Sequence, residues 1–248
     1  MGLDFVRRTY ERWGRRDPMY AVLTRHERAG NRWDAEAFFR TGRDEVAGVL
    51  TDLATLGLAP EGGRALDFGC GVGRLSQALA EHVDEVVGVD IATSMVEAAE
   101  AHNRYSDRVR YVANSAADLS LFDDAAFDLV YSSITLQHIP PRYGRRYIRE
   151  FFRVVRPGGT VVFQMRSGPR VEPGSLRERL YRLNREHLRH ALQRLRRRPP
   201  YEIHYMARSQ VEELVADAGG RLVAVKEVGG RRRRNYRYTA TRPASPPA

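Results

Sequence analysis

"ALDFGCGVGRLSQAL", residues 65–79, runs from an apolar stretch through three glycines at alternate positions into an amphipathic stretch. Glycine loses more backbone freedom on folding than any other residue. Gly69, Gly71 and Gly73 therefore mark a loop that needs positive φ or a close approach by another group. The pattern predicts a strand, a tight turn and the start of a helix. Open α/β sheets bind ligands at such a place, just outside the carboxyl end of a strand.

The loop reads D-x-G-x-G-x-G from Asp67. A dinucleotide fingerprint, G-x-G-x-x-G/A, keeps its third position small so that helix and strand pack closely. Counted from Gly69 that position is Arg74, which argues against a dinucleotide. The phosphate-cradling G-x-x-x-x-G-K-[ST] loop is absent. An acid two residues ahead of the first glycine suits a ligand with a cationic end. S-adenosylmethionine has one, an ammonium and a sulfonium on its methionine moiety. Asp67 can attract that ammonium directly or through water. Asp90 closes the next apolar run, "VVGVD", 23 residues further on. A carboxylate there accepts both hydroxyls of a ribose. Asp90 alone does not choose the cofactor. The pair with the loop selects S-adenosylmethionine, with S-adenosylhomocysteine as product.

Outward from this loop, short apolar runs alternate with helical stretches. "RALDF", "EVVGVD", "RVRYVAN", "FDLVYSS" and "TVVFQMR" read as strands. "GRLSQALAEH" and "SMVEAAEAHN" read as helices, as does "YGRRYIREFFRVV", which stops at Pro157-Gly158-Gly159. Such alternation implies a parallel sheet with helices on both faces. Ahead of it, residues 35–57 form a helix whose pattern Thr41-Gly42 interrupts. After Gly168, residues 174–198 predict a long helix with a leucine face, closed by Pro199-Pro200. "SQVEELVADAG" is a short helix with Ser209 as its N-cap. "RLVAVKEV" and "NYRYTATR" are two strands with a turn at Gly229-Gly230, and the Pro-rich residues 243–248 form a disordered tail.

The chain has 248 residues, 42% of them apolar, enough for one domain with elaborations. No apolar run approaches the roughly 18 residues of a membrane span, and "MGLDFVRRTYERW" lacks the apolar centre of a signal peptide. Cys70 is the sole cysteine, so no disulfide forms within the chain and a cytoplasmic location is expected. The net charge is +10, and Lys226 is the only lysine. Residues 177–198 hold nine Arg and two Glu; residues 231–242 hold six Arg and no acid. The remainder is slightly acidic. A whole-surface nucleic-acid binder spreads its charge, whereas this one concentrates it.

Residues from about 64 to 168 resemble a class I S-adenosylmethionine-dependent methyltransferase. Four stretches carry the resemblance: "LDFGCGVGRL", "VVGVDIATSMVEAA", "FDLVYSSITLQHIP" and "REFFRVVRPGGTVVFQ". It implies an α/β, Rossmann-like seven-stranded sheet whose last strand runs antiparallel, with helices on both faces and a helical lid insertion. It divides the chain into a cover of the cofactor and acceptor site (1–60), a core (61–168 with 207–242), a basic lid (169–206) and the tail. By position, Asp67, Gly69, Gly71 and Gly73 would hold the methionine moiety and Asp90 the ribose. Ile91 and Met95 would lie near ribose and adenine, and Ala117, Asp118 and Leu119 would face the adenine. Many relatives place an Asp earlier in that adenine loop, where this chain has Asn114 and Ser115. The contact to the adenine amino group therefore stays open between Asp118 and backbone groups.

His138, after the fourth strand, is the candidate catalytic base. Methyl transfer depends mostly on aligning acceptor, methyl and sulfur, and a hydroxyl acceptor also has to lose its proton. His138 can equally shape the loop before Pro140-Pro141 or pack on the cofactor. Thr41, Trp33 and Phe38 resemble the family's cofactor cover, with core packing as the plain alternative for the two aromatics. Tyr10, Trp13 and Tyr20 enclose an acceptor or simply pack. Cys70 reads as a small filler. No cluster has metal-ligand spacing, so no structural metal is expected. The implied acceptor is a small-molecule hydroxyl, on a saccharide or natural-product intermediate. N-methylation of a small amine would look the same. The second reading is an RNA methyltransferase using the Arg-rich segments. Against it, "SSIT" stands where base-amine methylation has an Asn/Asp-Pro-Pro-aromatic motif. A non-catalytic cofactor-binding scaffold is the third.

Overall fold

The structure, a computed structural model, describes residues 2–169, 202–229 and 233–244. Three helices precede the sheet: α1 (Leu3–Arg16), α2 (Pro18–Val22) and α3 (Ala35–Thr55). α1 buries Leu3, Val6, Thr9 and Trp13 at helical spacing. Asp17 then ends it and caps α2: one oxygen accepts from the Tyr20 N–H (3.4 Å), the other from Gly30 (2.6 Å) and Asn31 (3.0 Å). Asp34 caps α3 by accepting from the Ala37 N–H at 2.8 Å.

The Thr41-Gly42 step does not interrupt α3, contrary to expectation. Gly42 is there for contact. A Cβ on it would stand 2.2 Å from the Arg74 carbonyl oxygen, so only glycine lets α3 lie this close to the glycine loop's helix.

The described residues form one seven-stranded sheet: β1 (Arg64–Phe68), β2 (Glu85–Asp90), β3 (Val109–Ala113), β4 (Phe127–Ser132), β5 (Val155–Pro169), β6 (Arg221–Val228) and β7 (Arg233–Thr241). Their order is β3-β2-β1-β4-β5-β7-β6. β1 to β5 pair in parallel, and β7 runs antiparallel between β5 and β6. The helices α4 (Arg74–Leu79), α5 (Thr93–Ala101), α6 (Pro141–Val154) and α7 (Arg208–Asp217) connect them. The expected Rossmann-like sheet with an antiparallel last strand is the observed one, and the expected helical lid lies outside the described residues.

Two local expectations change. β5 begins at Val155, not Thr160, and carries Pro157-Gly158-Gly159 through a bulge where its register with β4 shifts. Gly158 takes φ +78 there and bonds the Arg242 carbonyl at 2.7 Å. α7 starts after Ala207, whose N–H is taken by Gln210 Oε1 at 3.2 Å, so Ser209 lies inside the first turn instead of capping it. The leucine-faced helix expected over 174–198 and residues 245–248 of the expected tail lie outside the described residues.

Strand alternation divides the core. Leu66 and Phe68 face one side with Phe151, Phe163 and Tyr238, while Ala65 faces the other with Val46, Leu53 and Leu79. A third cluster matters most for the site. It joins Trp13, Tyr20, Trp33 and Phe38 of the N-terminal region to Val72 of the glycine loop and Met95 of α5. Each such side chain, fully buried, contributes about 1.5–3 kcal/mol. The N-terminal helices are thereby fixed over the carboxyl ends of β1 and β2.

Candidate functional site

The glycine loop leaves β1 and turns at once. The N–H groups of Gly69 and Cys70 both donate to the Val89 carbonyl, at 2.7 and 3.0 Å, which ties the loop to the end of β2. Gly71 adopts φ +56, and a Cβ there would meet Val22 of α2 at 2.6 Å. Gly73 adopts φ +78, and its Cβ would stand 2.1 Å from the Tyr111 hydroxyl. Gly71 therefore lets Val22 of α2 close onto the loop, while Gly73 serves helix-to-strand packing.

Above the loop lies a cavity partly open to solvent, with about 890 Å³ of empty space when the open solvent at its mouth is counted. Gly69, Gly71, Arg74, Asp90, Ile91, Met95 and Asn114 line its floor; Ser133, Ile134, Thr135, His138 and Ile139 line a side; Leu3, Val6 and Tyr10 of α1 and Val22 of α2 form its roof. Of the residues expected at a cofactor site, Gly69, Gly71, Asp90, Ile91 and Met95 come together here, with the catalytic candidate His138. Asp67, Gly73, Thr41, Ala117, Asp118 and Leu119 do not line it.

Each of these six has a visible engagement elsewhere. Asp118 accepts from the Ser120 hydroxyl (2.8 Å) and from Arg146 (2.5 Å). Leu119 is in the core and Ala117 packs against it. Thr41 donates its hydroxyl to the Phe38 carbonyl at 2.6 Å and accepts Arg74 Nη1 on its own carbonyl at 3.1 Å. Asn114 is the residue of the loop after β3 that reaches the cavity, its amide donating to the Asp118 carbonyl at 2.8 Å.

Asp90 has one oxygen on the Gly71 N–H and the other on the Ala92 N–H, both at 3.0 Å. Burial pushes its carboxyl up to about 6, against those backbone hydrogen bonds. A carboxylate offers about four acceptor sites, so Asp90 keeps capacity for hydroxyl donors from the cavity. Asp67 is more deeply buried. Its Oδ2 accepts the Ser76 hydroxyl at 2.7 Å, and its Oδ1 is buried without a hydrogen bond. Burial raises it to about 7, with Ser76 and Arg74 pulling the other way.

His138 sits in a short turn with its Nδ1 3.0 Å from the Glu202 carbonyl oxygen and its Nε2 3.1 Å from Gln137 Nε2. A carbonyl only accepts, so Nδ1 carries the proton and Nε2 is the basic nitrogen. Gln137 occupies that nitrogen, and removing a substrate proton requires its amide to move aside. The Tyr10 ring stands edge-on to the imidazole at 5.9 Å.

Two features carry no motif. Ile134 takes φ +63 on the cavity wall, a strained conformation for a β-branched residue. Glu11 of α1 reaches α5, which has no capping side chain of its own. Its carboxylate accepts from the Thr93 N–H (2.7 Å) and the Ser94 N–H (3.2 Å), and the Ser94 hydroxyl donates back to the Glu11 carbonyl (3.0 Å). Burial raises the Glu11 carboxyl, but these hydrogen bonds outweigh it and leave it below its usual range. Gly14 permits the contact, since a Cβ there would stand 2.2 Å from the Ser94 hydroxyl oxygen.

Among the described residues no group of three or more His, Cys, Asp or Glu is arranged to hold a metal, and no helix is long and apolar enough to cross a membrane.

Residues 66–163 match the methyltransferase domain family. A demethylmenaquinone methyltransferase of Clavibacter sepedonicus is 37% identical over 131 residues, 52% of this chain and 51% of that protein. A ubiquinone biosynthesis O-methyltransferase of Xanthomonas campestris is 34% identical over 114 residues, 46% of this chain and 47% of that one. The chain thus spans about half the length of the curated relatives it matches. Among solved structures, the magnesium protoporphyrin IX methyltransferase of Synechocystis with bound S-adenosylhomocysteine superposes with a TM-score of 0.65 at 18% identity, covering 97% of this chain and 99% of that one.

Proposed function

We propose, from the premise that residues 66–163 are a methyltransferase domain set in the class I S-adenosylmethionine-dependent fold, that this chain methylates a hydroxyl of a small, largely apolar acceptor. The observation that carries the reading is the glycine-loop cavity with Asp90 on its wall. When bound there, S-adenosylmethionine supplies an electrophilic methyl group on a sulfonium. The chain's residues do the rest. Gly71 lets ligand atoms approach the backbone, and Asp90 accepts the ribose hydroxyls. Asp67, just behind the loop, has its carboxyl raised to about 7 by burial, and a cationic ligand end nearby would favour its ionised form.

The acceptor follows from the remaining wall. Leu3, Val6, Tyr10, Ile134 and Ile139 supply apolar surface, and His138 and Thr135 supply few polar partners. A saccharide would leave several hydroxyls unpaired against such a wall, each at a cost. An apolar ring with one reactive hydroxyl fits it, in keeping with the name of the ubiquinone biosynthesis O-methyltransferase above. His138 Nε2 would take the hydroxyl proton once Gln137 yields.

Transfer of labelled methyl from S-adenosylmethionine to a panel of phenols, sugars and small amines tests the reading. Product on a phenol supports it. Product on sugars or amines alone replaces the acceptor class. Failure of the wild type to bind S-adenosylmethionine in calorimetry would leave a scaffold instead of an enzyme.

A further inference from the structure

We infer that residues 202–206 are a positioning segment for His138: the backbone carbonyl of Glu202 selects the imidazole tautomer with its lone pair on Nε2, and the His204 N–H holds that carbonyl in place. The inference rests on the reading of His138 as the proton acceptor. His138 borders the cavity. It belongs to the turn Leu136–His138, which its N–H closes on the Thr135 carbonyl at 2.9 Å. The turn does not by itself choose which ring nitrogen carries the proton. A neutral imidazole has two tautomers, and the hydrogen bond made by one nitrogen decides the state of the other. In water the neutral side chain of histidine favours the proton on Nε2. The fold reverses that preference, because Nδ1 lies 3.0 Å from the Glu202 carbonyl oxygen, which only accepts.

Three contacts hold the segment. The His204 N–H donates to the Gln137 carbonyl at 2.7 Å, and the Met206 N–H donates to the Arg166 carbonyl of β5 at 2.9 Å. Met206 itself is buried in the core with Phe163 and Tyr238. The segment is thus pinned to the turn on one side and to the sheet on the other, and Glu202 lies two residues ahead of the first bond. The Glu202 carboxylate pairs with His204 Nε2 at 3.3 Å, so the carbonyl, not the carboxylate, is the Glu202 group on Nδ1. A carboxylate there would favour the imidazolium. A carbonyl fixes the tautomer with less bias toward that charge. Gln137 is the competing explanation. Its amide nitrogen lies 3.1 Å from Nε2 and, as a donor, suits the same tautomer. Half a turn of that amide presents its oxygen instead and suits the opposite one. A backbone carbonyl pinned by flanking bonds has no such choice. Residues 202–206 lie outside the span 66–163 that matches the family, so this contact belongs to the chain's own elaboration of the domain.

The test is a long-range proton–nitrogen correlation spectrum of the full chain carrying nitrogen-labelled histidine, recorded at about pH 8, above the usual range of imidazole ionisation. His138 is assigned among the seven histidines by its absence from His138→Asn. The wild type should show a protonated Nδ1 and an unprotonated Nε2. His204→Pro removes the N–H that binds the Gln137 carbonyl and should move His138 to the Nε2–H tautomer. His204→Ala keeps that N–H and should leave the tautomer as it is. Gln137→Leu removes the other neighbour and should also leave it as it is; this variant decides the matter if His204→Pro does not fold. Three results overturn the inference: a wild type with its proton on Nε2, a folded His204→Pro indistinguishable from His204→Ala, or a Gln137→Leu that moves to Nε2–H. Turnover separates the inference from the reading beneath it. On a phenol acceptor, His204→Pro should lower kcat about tenfold, a part of the 10²–10⁴-fold share of a general base, with KM changed less than about threefold. A tautomer that moves while turnover does not would remove His138 as the base and leave its positioning by Glu202 intact.

Discussion

The floor and the roof of the cavity are built in opposite ways. The floor, the loop from Gly69 to Gly73 with the end of β2, is held by backbone. Its glycines take positive φ, two of its N–H groups share the Val89 carbonyl, and Asp90 ties Gly71 to Ala92. The roof, α1 and α2, is held together with α3 by side chains from outside the matched span 66–163: Glu11 on α5, Glu45 on Arg74, and the aromatic cluster around Trp13 and Phe38. A backbone-fixed floor tolerates almost no substitution, because the conformation itself is at stake. A side-chain-fixed roof comes loose one contact at a time. The proposed division of labour follows: the floor decides whether the cofactor binds, and the roof decides how it is enclosed.

The most damaging test of that division is Gly71→Val. It should abolish S-adenosylmethionine binding, since the new side chain sits at φ +56 and collides with Val22. Calorimetry checks this alongside a melting curve; retained wild-type affinity would remove the loop from the site. His138→Ala, between floor and roof, should lower turnover by roughly 10²–10⁴-fold, the usual share of a general base, with cofactor affinity nearly unchanged. A loss under threefold on a hydroxyl acceptor would leave His138 a packing residue. Asp90→Ala should weaken cofactor binding by about 1–3 kcal/mol, as two hydrogen-bonding oxygens disappear.

Floor and roof also separate by pH. Asp67 and Asp90 are pushed up to about 7 and about 6 in the folded chain, above the 3.8 of a free aspartate. The folded state therefore binds more protons than the unfolded one between pH 4 and 7, and the stability of the unliganded protein falls as pH rises through that window. Glu11 and Glu45 are lowered instead. Their contribution is present above the usual glutamate range and is lost as pH drops below it. Melting temperatures from pH 4 to 8 should decline, and Asp67→Asn should flatten the decline. A wild type that grows steadily more stable up to pH 7 would contradict the floor's buried carboxylates.

The same contrast sets how much was legible in advance. Strands β1 to β4, the glycine loop and Asp90 announce themselves, because backbone needs restrict residue type: glycine for positive φ, β-branched runs for buried strands. Contacts made by side chains announce little, in the roof and elsewhere. Gly42 reads as a helix breaker until Arg74 is seen beside it, and Gly73 reads as a ligand contact until Tyr111 is. Ile134 at φ +63 has no signal at all, since neither glycine nor asparagine marks it. Glu11 caps a helix 82 positions away, and nothing local distinguishes it from any other surface glutamate. Asn114 was visible only as a departure from the usual adenine loop, and Asp118 drew attention by type while its carboxylate was committed to Ser120 and Arg146.

The smallest expected effect is the sharpest probe of the roof. Glu11→Ala removes the side-chain cap that α1 lends to the start of α5 and should lower stability by about 0.5–2 kcal/mol, the range for a lost N-cap. Its functional consequence should be kinetic. Asp90 and Ile91 stay where the backbone puts them, so the binding surface of the floor survives. α1, however, loses its carboxylate clasp on Thr93 and Ser94, and Leu3, Val6 and Tyr10 then cover the cavity less continuously. Cofactor should both enter and leave several-fold faster in stopped-flow fluorescence, with the equilibrium constant shifted less than either rate. Gly14→Ala should act in the same direction by a different route, because its Cβ would press α1 away from Ser94. If Glu11→Ala weakened binding as much as Asp90→Ala while leaving the rate of entry unchanged, the roof would be part of the binding surface itself. The separation of floor from roof would then fail.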